Sequence, residues 1–459
     1  MSTIKIDTIC APATGSGGAI NIVRISGPDA ISIADAIFVA KKKDFKLSDS
    51  ESHQIHFGDI IYENEVLDEV LISVFKDKKS YTGEPSIEIS LHASPFILRK
   101  TLELLQSKGA RIAEPGEFSM RAFLNGKLDL AQAEAVGDII ASASKSAHNT
   151  AMRQLKGKFS NKLKNLRQQL MDFASLIELE LDFAEEDVEF ADRDNFKQLV
   201  REINTEVSQL INSFKIGNVL KDGIPVAIVG KPNAGKSTLL NVLLQEDKAI
   251  VSDIEGTTRD VIEDVINING VLFRFIDTAG IRESSNTIEK LGIERTYEKI
   301  SQANIVLLIL DANEISSIED INTQLNAAKL NINNEQQELI IVVNKMDKKH
   351  TEINSNDLNI VYISAKQHNI SSLEEKLEAY VNQFNIQDQS IITNARHLEA
   401  LKNSKESLDA VLTAFEMNIP TDLIAIDVRS ALYHLGSITG QISNDELLGN
   451  IFGKFCIGK

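Results

Sequence analysis

Hydrophobic and polar positions fall into successive regimes along the chain. Up to about residue 124, short β-rich runs (Ala19 to Ile25, Ile55 to Tyr62, Glu69 to Phe75, Ser86 to Leu91) predict strands, and Pro95 to Ser107 carries the spacing of a helix. Residues 1–124 therefore read as an α+β domain. From Asp129 to Leu181 the period lengthens. Met152, Leu155, Phe159, Leu163, Leu166 and Leu170 recur every three or four positions, one apolar stripe on a helix, and 125–216 reads as an all-α domain. Between 217 and 379 the apolar strands IPVAIVG, VLFRFIDTAG, ANIVLLILDA, ELIIVVNK and NIVYISAK alternate with helical segments, which predicts a mostly parallel sheet with helices on both faces. Residues 380–459 are helical again, closing with Ser443 and Glu446 in capping-box spacing. Helical sequence on either side makes the α/β segment an insertion into one helical domain.

Composition narrows the class. The 459 residues are 43% hydrophobic and 25% charged with eight prolines, which excludes disorder and fibrous repeats and leaves a globular protein of several domains. Two cysteines, Cys10 and Cys456, are too few for a disulfide framework or a cysteine zinc site and fit a reducing compartment, so a cytoplasmic location is expected. His53 and His56 lack the further ligands a metal needs. The apolar runs Ile305 to Leu310 and Leu339 to Val343 are strand-sized, not membrane-spanning. A net charge of −18 excludes coating nucleic acid through bulk charge. The charge is uneven, however. Residues 139–171 hold seven cations and no acid, and Arg153, Lys156, Lys164 and Arg167 would share one side of the expected helix, a solvated face or a place for phosphate contact.

The strand IPVAIV runs into Gly230-Lys-Pro-Asn-Ala-Gly235-Lys236-Ser237 and then a helix. In that context glycines let backbone N–H groups converge on phosphate while the helix N-terminus supplies positive potential. Asn233, Ala234, Gly235, Lys236, Ser237 and Thr238 are the candidate binding residues, with Lys236 on the β- and γ-phosphates and Ser237 on Mg²⁺. Asp277-Thr278-Ala279-Gly280 places a carboxylate beside the metal and an N–H beside the γ-phosphate. Between the two lie Ser252, Asp253, Ile254, Glu255, Gly256, Thr257 and Thr258, a metal-sensing stretch in which Thr258 is the candidate second Mg²⁺ ligand. Asn344-Lys345-Met346-Asp347 specifies guanine, because Asp347 accepts from the ring N–H and the exocyclic amine together, and Ser364-Ala365-Lys366 supports the base. The substrate expected is GTP, which makes the insertion a P-loop GTPase domain. Ile281 follows Gly280, where Ras-type GTPases carry a water-orienting glutamine. Spacing alone does not choose among Glu283, Glu289 and Glu294 as its replacement.

The array GKPNAGKST, SDIEGTTRD, DTAGIRESSNTIEKLGIER, NKMD, SAK and a terminal CIGK, with SYTGE at 80–84 and EPGEFSMRAFLNGKLDLAQAEA at 114–135, resembles the MnmE (TrmE) family of bacterial tRNA-modification GTPases over nearly the whole chain. The resemblance implies Glu289 as the water-orienting residue, and potassium held by Asn233, Ser252, Ile254 and Thr257 when two GTPase domains meet. It implies a homodimer through the N-terminal domain and a reduced folate, 5-formyl- or methylene-tetrahydrofolate, held by Arg24, Glu88, Lys127 and Lys459. With the flavoprotein MnmG, such proteins build a carboxymethylaminomethyl or aminomethyl group on C5 of the wobble uridine of certain tRNAs. Leu91-His92-Ala93-Ser94-Pro95 departs from the family's His-Gly-Gly at that place. Cys456 has no base beside it and reads as structural. The rival reading is a regulatory or ribosome-assembly GTPase acting as a binding switch, which leaves the N-terminal block and terminal CIGK unexplained.

Overall fold

The computed structural model describes residues 7–15, 17–182, 193–246, 264–276, 301, 303–329, 337–348, 359–383, 391–417, 419–443, 445–456 and 458. It groups into two compact units, one of Met1–Ile140, Gln154–Arg201 and Asn403–Lys459, the other of Ala141–Arg153 and Glu202–Lys402. The architecture comprises an α+β N-terminal domain, a helical domain and an α/β domain with a mostly parallel sheet, as the sequence pattern leads one to expect.

The first unit is built on seven strands: β1 (Ile9–Pro12), β2 (Ile20–Ser26), β3 (Phe38–Ala40), β4 (Gln54–Tyr62), β5 (Glu65–Phe75), β6 (Ser86–His92) and β7 (Arg111–Ile112), in the order β3-β4-β5-β6-β2-β1-β7. Only the β1–β7 pairing is parallel. Val23, Ile25, Ile72, Val74, Ile87 and Ile89 point to one face, where the helices Ala30–Asp35 and Pro95–Ser107 close the core. On the opposite face, Phe118 of the helix Glu117–Leu124 covers Ile9 and Ala11. In the helical part of this unit, Lys158–Asp182 packs on Thr421–Thr439, and Phe159, Leu163, Leu166 and Leu170 are buried.

The stripe from Met152 to Leu170 does not lie on one helix, as its period suggested. Helices Lys145–Leu155 and Lys158–Asp182 are separated by a turn in which Gly157 has φ +77°. That value suits glycine, and it ends the first helix because left-handed backbone cannot continue a right-handed one.

The second unit holds β8 (Ile224–Gly230), β9 (Asp264–Ile268), β10 (Val271–Ile276), β11 (Ile305–Asp311), β12 (Glu338–Asn344) and β13 (Ile360–Tyr362), in the order β13-β12-β11-β8-β10-β9. All neighbours are parallel except β9 and β10, which are joined through Asn269 and Gly270, both at positive φ, as a tight hairpin requires. The near-continuous apolar runs of β8, β11 and β12 follow from burial on both faces. The carboxyl ends of β8, β11 and β12 adjoin in register, Ile309 pairing with Gly230 and Asp311 with Asn344, which gathers the loops that follow them.

Candidate functional site

At the end of β8 the backbone turns sharply. Gly230 has φ +153° and Gly235 φ +98°, and a Cβ on either would fall on the Ile309 carbonyl or the Asn344 amide. Only glycine fits both places. The helix Lys236–Glu246 starts here with Ser237 and Thr238 exposed in its first turn. Lys236 Nζ curls back on the loop's own carbonyls, donating to Gly230 O (2.6 Å) and Lys231 O (2.8 Å). Burial holds its pKa below the ordinary lysine value. A half-buried ammonium satisfied only by neutral carbonyls favours an anion, so the residues present fit a phosphate.

The Asn344-Lys345-Met346-Asp347 segment clamps this loop from the end of β12. Asn344, 2% exposed, donates Nδ2 to Ala234 O (3.0 Å) and accepts on Oδ1 from the Ala365 N–H (3.0 Å). Lys345, at φ +71°, donates Nζ to Asn233 O (2.7 Å), and Asn233 itself sits at φ +65° with its residue exposed. Ser364 Oγ donates to Asp347 Oδ1 (2.8 Å), which holds one carboxylate oxygen and leaves the other for a base. Lys366 lies exposed at the same strand end. The structure thus brings together Asn233, Ala234, Gly235, Lys236, Ser237, Thr238, Asn344, Lys345, Asp347, Ser364, Ala365 and Lys366. Ser252 to Thr258, Asp277 to Gly280, Glu289 and Lys459 lie outside the described residues.

One member of the site carried no motif. Asp311, the last residue of β11, accepts from Lys345 Nζ (2.6 Å), while its other oxygen accepts from the backbone and side chain of Asn313. Burial pushes its pKa up, but the bonds from Lys345 and Asn313 outweigh that and hold the carboxyl below the usual aspartate range. The available signal was an acid ending an apolar strand of a parallel sheet, where such sheets gather their ligands.

A second polar cluster lies in the first unit. Arg24 and Glu88 face each other across β2 and β6 in register, Nη2 to Oε1 at 2.9 Å, partly exposed. The guanidinium lies 5.3 Å from the Tyr81 ring centre and donates to Gly458 O (3.4 Å) of the C-terminal tail. Gly458 has φ +94°, and a Cβ there would fall on Pro12 O. Cys456 is exposed, and its carbonyl accepts from Gly116 N–H (3.4 Å). Lys127 stands apart from the pair in its contacts, donating to Lys78 O (3.1 Å). The SYTGE segment is stitched underneath, with Thr82 hydrogen-bonded to Ser26 and Glu84 bonded to Ser26 and Arg121. Ser94 in the LHASP segment caps the helix Pro95–Ser107 by accepting from Ile97 N–H (3.5 Å). Buried Cys10 has its thiol pKa pushed up to about 11 and is an inert core group.

The cationic stretch expected on one helix side is divided by the turn at Gly157. Lys164 pairs with Asp129 (3.4 Å), and Arg167 Nε is buried 3.2 Å from where a Cβ on Gly436 would lie.

The family model described as "MnmE helical domain" matches residues 130–456, and that described as "GTP-binding protein TrmE N-terminus" matches residues 8–127. The tRNA modification GTPase MnmE of Cytophaga hutchinsonii is 49% identical over 100% of both chains, and that of Christiangramia forsetii is 50% identical over 99% of both. The chain belongs to the MnmE family of tRNA modification GTPases. It is a GTP hydrolase of tRNA modification, and GTP with Mg²⁺ belongs to that activity. Among solved structures, the FeoB G-domain of Methanococcus jannaschii aligns at 24% identity over 35% of this chain and 98% of that one, at a TM-score of 0.25 too slight to add to the argument. Among the described residues no helix is long and apolar enough to cross a membrane.

Proposed function

We propose that the protein is a potassium-stimulated GTPase that works as a homodimer with the flavoprotein MnmG. Its product would be a carboxymethylaminomethyl or aminomethyl group on C5 of the wobble uridine of certain tRNAs. A reduced folate would supply the one-carbon unit.

In the GTPase domain, Lys236, whose ammonium rests on two loop carbonyls, would hold β- and γ-phosphate oxygens, and Ser237 with Thr258 would hold Mg²⁺. Asp277 would support the metal, and the Gly280 N–H would serve the γ-phosphate. The stretch 252–258 would sense the metal, and Asp347 would read guanine. Potassium, when bound by Asn233, Ser252, Ile254 and Thr257, supplies positive charge where negative charge develops between β- and γ-phosphates. Glu289 orients the attacking water, the role Ile281 cannot fill.

In the N-terminal domain, Arg24, Glu88, Lys127 and Lys459 hold the folate, with the carboxylate suited to a pterin donor edge and the cations to its glutamyl tail. The observation that carries this reading is the meeting of Arg24, Glu88 and the terminal CIGK segment, with Arg24 bonded to a carbonyl 434 positions later in sequence. An ion pair alone needs no such tail. The homodimer is supported by the same sheet face. Ile20, Ile55, Phe57 and Leu71 are 61, 65, 48 and 47% exposed, and strand register puts them on the side of Arg24 and Glu88. An apolar patch of this kind on a sheet asks for a partner surface. The proposed domains are 1–124 for folate and dimerisation, 125–216 and 380–459 for the helical domain, and 217–379 for GTP.

Calorimetric titration with 5-formyl-tetrahydrofolate tests the central part. Saturable binding by the full chain is expected, weaker by about tenfold or more in Arg24→Gln and in a chain lacking Lys459, because each loses a charge-assisted bond. Equal binding by all three would contradict the site.

A further inference from the structure

On a chain of net charge −18, two short segments of the N-terminal domain are strongly cationic: residues 41–46 read KKKDFK and residues 76–79 read KDKK. The structure brings them to one open groove of about 820 Å³, whose lining includes Lys42, Lys46 and Lys76 together with Ile31, Phe38 and Phe45.

The loop carrying the first segment is pinned at both ends. Lys41, at its start, pairs with Asp59 (2.7 Å) and Glu69 (2.9 Å). At its far end the Asp35 carboxylate accepts from the Leu47 and Ser48 N–H groups (2.6 and 3.1 Å), which occupies one of the two acids lining the groove. The other acid, Asp44, is exposed at φ +60°. Between these anchors Lys42 lies over the Phe45 ring, 5.5 Å from its centre, and that ring stands 4.4 Å from His56. Lys76 crosses to Ser48 O (2.7 Å) and ties the second segment to the first. Among the described residues, Lys42, Lys43 and Lys46 have no carboxylate within ion-pairing distance.

Unpaired ammonium groups gathered beside one another repel, and an acidic chain has carboxylates enough to pair them. An arrangement that fixes the loop and leaves its cations outward points to an external polyanion. Holding Lys42 against an aromatic ring lowers the side-chain entropy lost when it engages a ligand. Lysines along a groove suit phosphates spaced along a strand, which position a nucleic acid without reading its bases. Lys78, two residues past the groove's Lys76, accepts on its carbonyl from Lys127, a residue proposed above for folate.

We infer that this groove receives the phosphate backbone of the tRNA. The inference rests on the reading that the protein acts on tRNA and adds where the RNA lies. An acidic protein surface is the competing occupant. The test is filter-retention binding of an unmodified tRNA transcript to the full chain across a salt series, for wild type, Lys42→Gln/Lys46→Gln and Lys42→Arg/Lys46→Arg. The Gln variant should bind about tenfold more weakly at ~0.1 M salt, and its slope of log affinity against log salt should be shallower by roughly two. The Arg variant should keep both, and hydrolysis of GTP without tRNA should be the same in all three. Wild-type affinity and slope in the Gln variant would overturn the groove while leaving tRNA binding in place. So would loss of a protein partner with tRNA binding unchanged, or weaker tRNA binding at an unaltered slope. No tRNA binding by wild type would overturn both readings.

Discussion

Asp311 shows what a single residue does here. Its carboxylate fixes Lys345 Nζ, which in turn holds the Asn233 carbonyl, so the segment proposed to read the base and the Gly230–Ser237 loop share one chain of bonds. Replacing it by Ala leaves a half-buried ammonium with one neutral partner. GDP affinity is expected to fall about tenfold, ~1.4 kcal/mol, read by fluorescent-nucleotide titration, whereas Asp311→Asn should recover part of it. The folded pKa lies below the usual aspartate value, so the bond stabilises the site above that value and is lost as pH falls through the folded pKa. The motif residues gathered here stand out one by one in the sequence, because a phosphate site and a guanine site would each demand particular groups at particular spacing. Asp311 is not, since its role exists only once β11 lies beside β12 with Asp311 opposite Asn344.

At the scale of elements, most long strands follow directly from the apolar pattern, and the helix Pro95–Ser107 has the bounds its period sets. The short strands β1, β3 and β7 escape such reading, because two to four residues carry no period. The helix break at Gly157 escapes it too, since the apolar spacing continues across the turn. Less visible still is the charge network that ties these pieces. Arg121, 3% exposed, bonds Asp7 and Glu117, and Arg111 reaches both acids from β7. Removing Arg121 leaves Asp7 and Glu117 to Arg111 alone and takes the cation from Glu84, which should cost about 1.5–3 kcal/mol, measurable by denaturant unfolding of the Arg121→Ala variant. The Arg111 hydrogen bond, against some burial, holds Asp7 below its ordinary value of 3.8. Glu117 is raised by burial but brought below its ordinary 4.5 by Arg111, the Glu114 N–H and Arg121. For depressed carboxylates, stability is fully present above those ordinary values and drains away as pH falls through the folded ones. Thermal midpoints followed from neutral pH downward should therefore drop, and less steeply in Glu117→Gln than in wild type.

For the whole molecule, the three-part organisation was readable from changes of period, and net charge misleads until it is taken locally. An acidic chain can meet RNA when its cations are gathered in one groove. The pair proposed for folate was not derivable, because Arg24, Glu88 and Gly458 come together only through strand register and the approach of the C-terminal segment to β2. In the GTPase domain, the proposed potassium site predicts turnover in potassium above that in sodium by orders of magnitude, the gain an arginine finger gives elsewhere. Glu289→Ala should keep GTP affinity while slowing single-turnover hydrolysis about 10²- to 10⁴-fold. The claim that joins the parts is that GTP turnover and the N-terminal one-carbon site serve one product. Mass analysis of wobble nucleosides from cells whose only copy carries Glu88→Gln tests it most directly. The account predicts loss of the modified uridine while the purified variant still hydrolyses GTP at the wild-type rate. Full modification in those cells would contradict it.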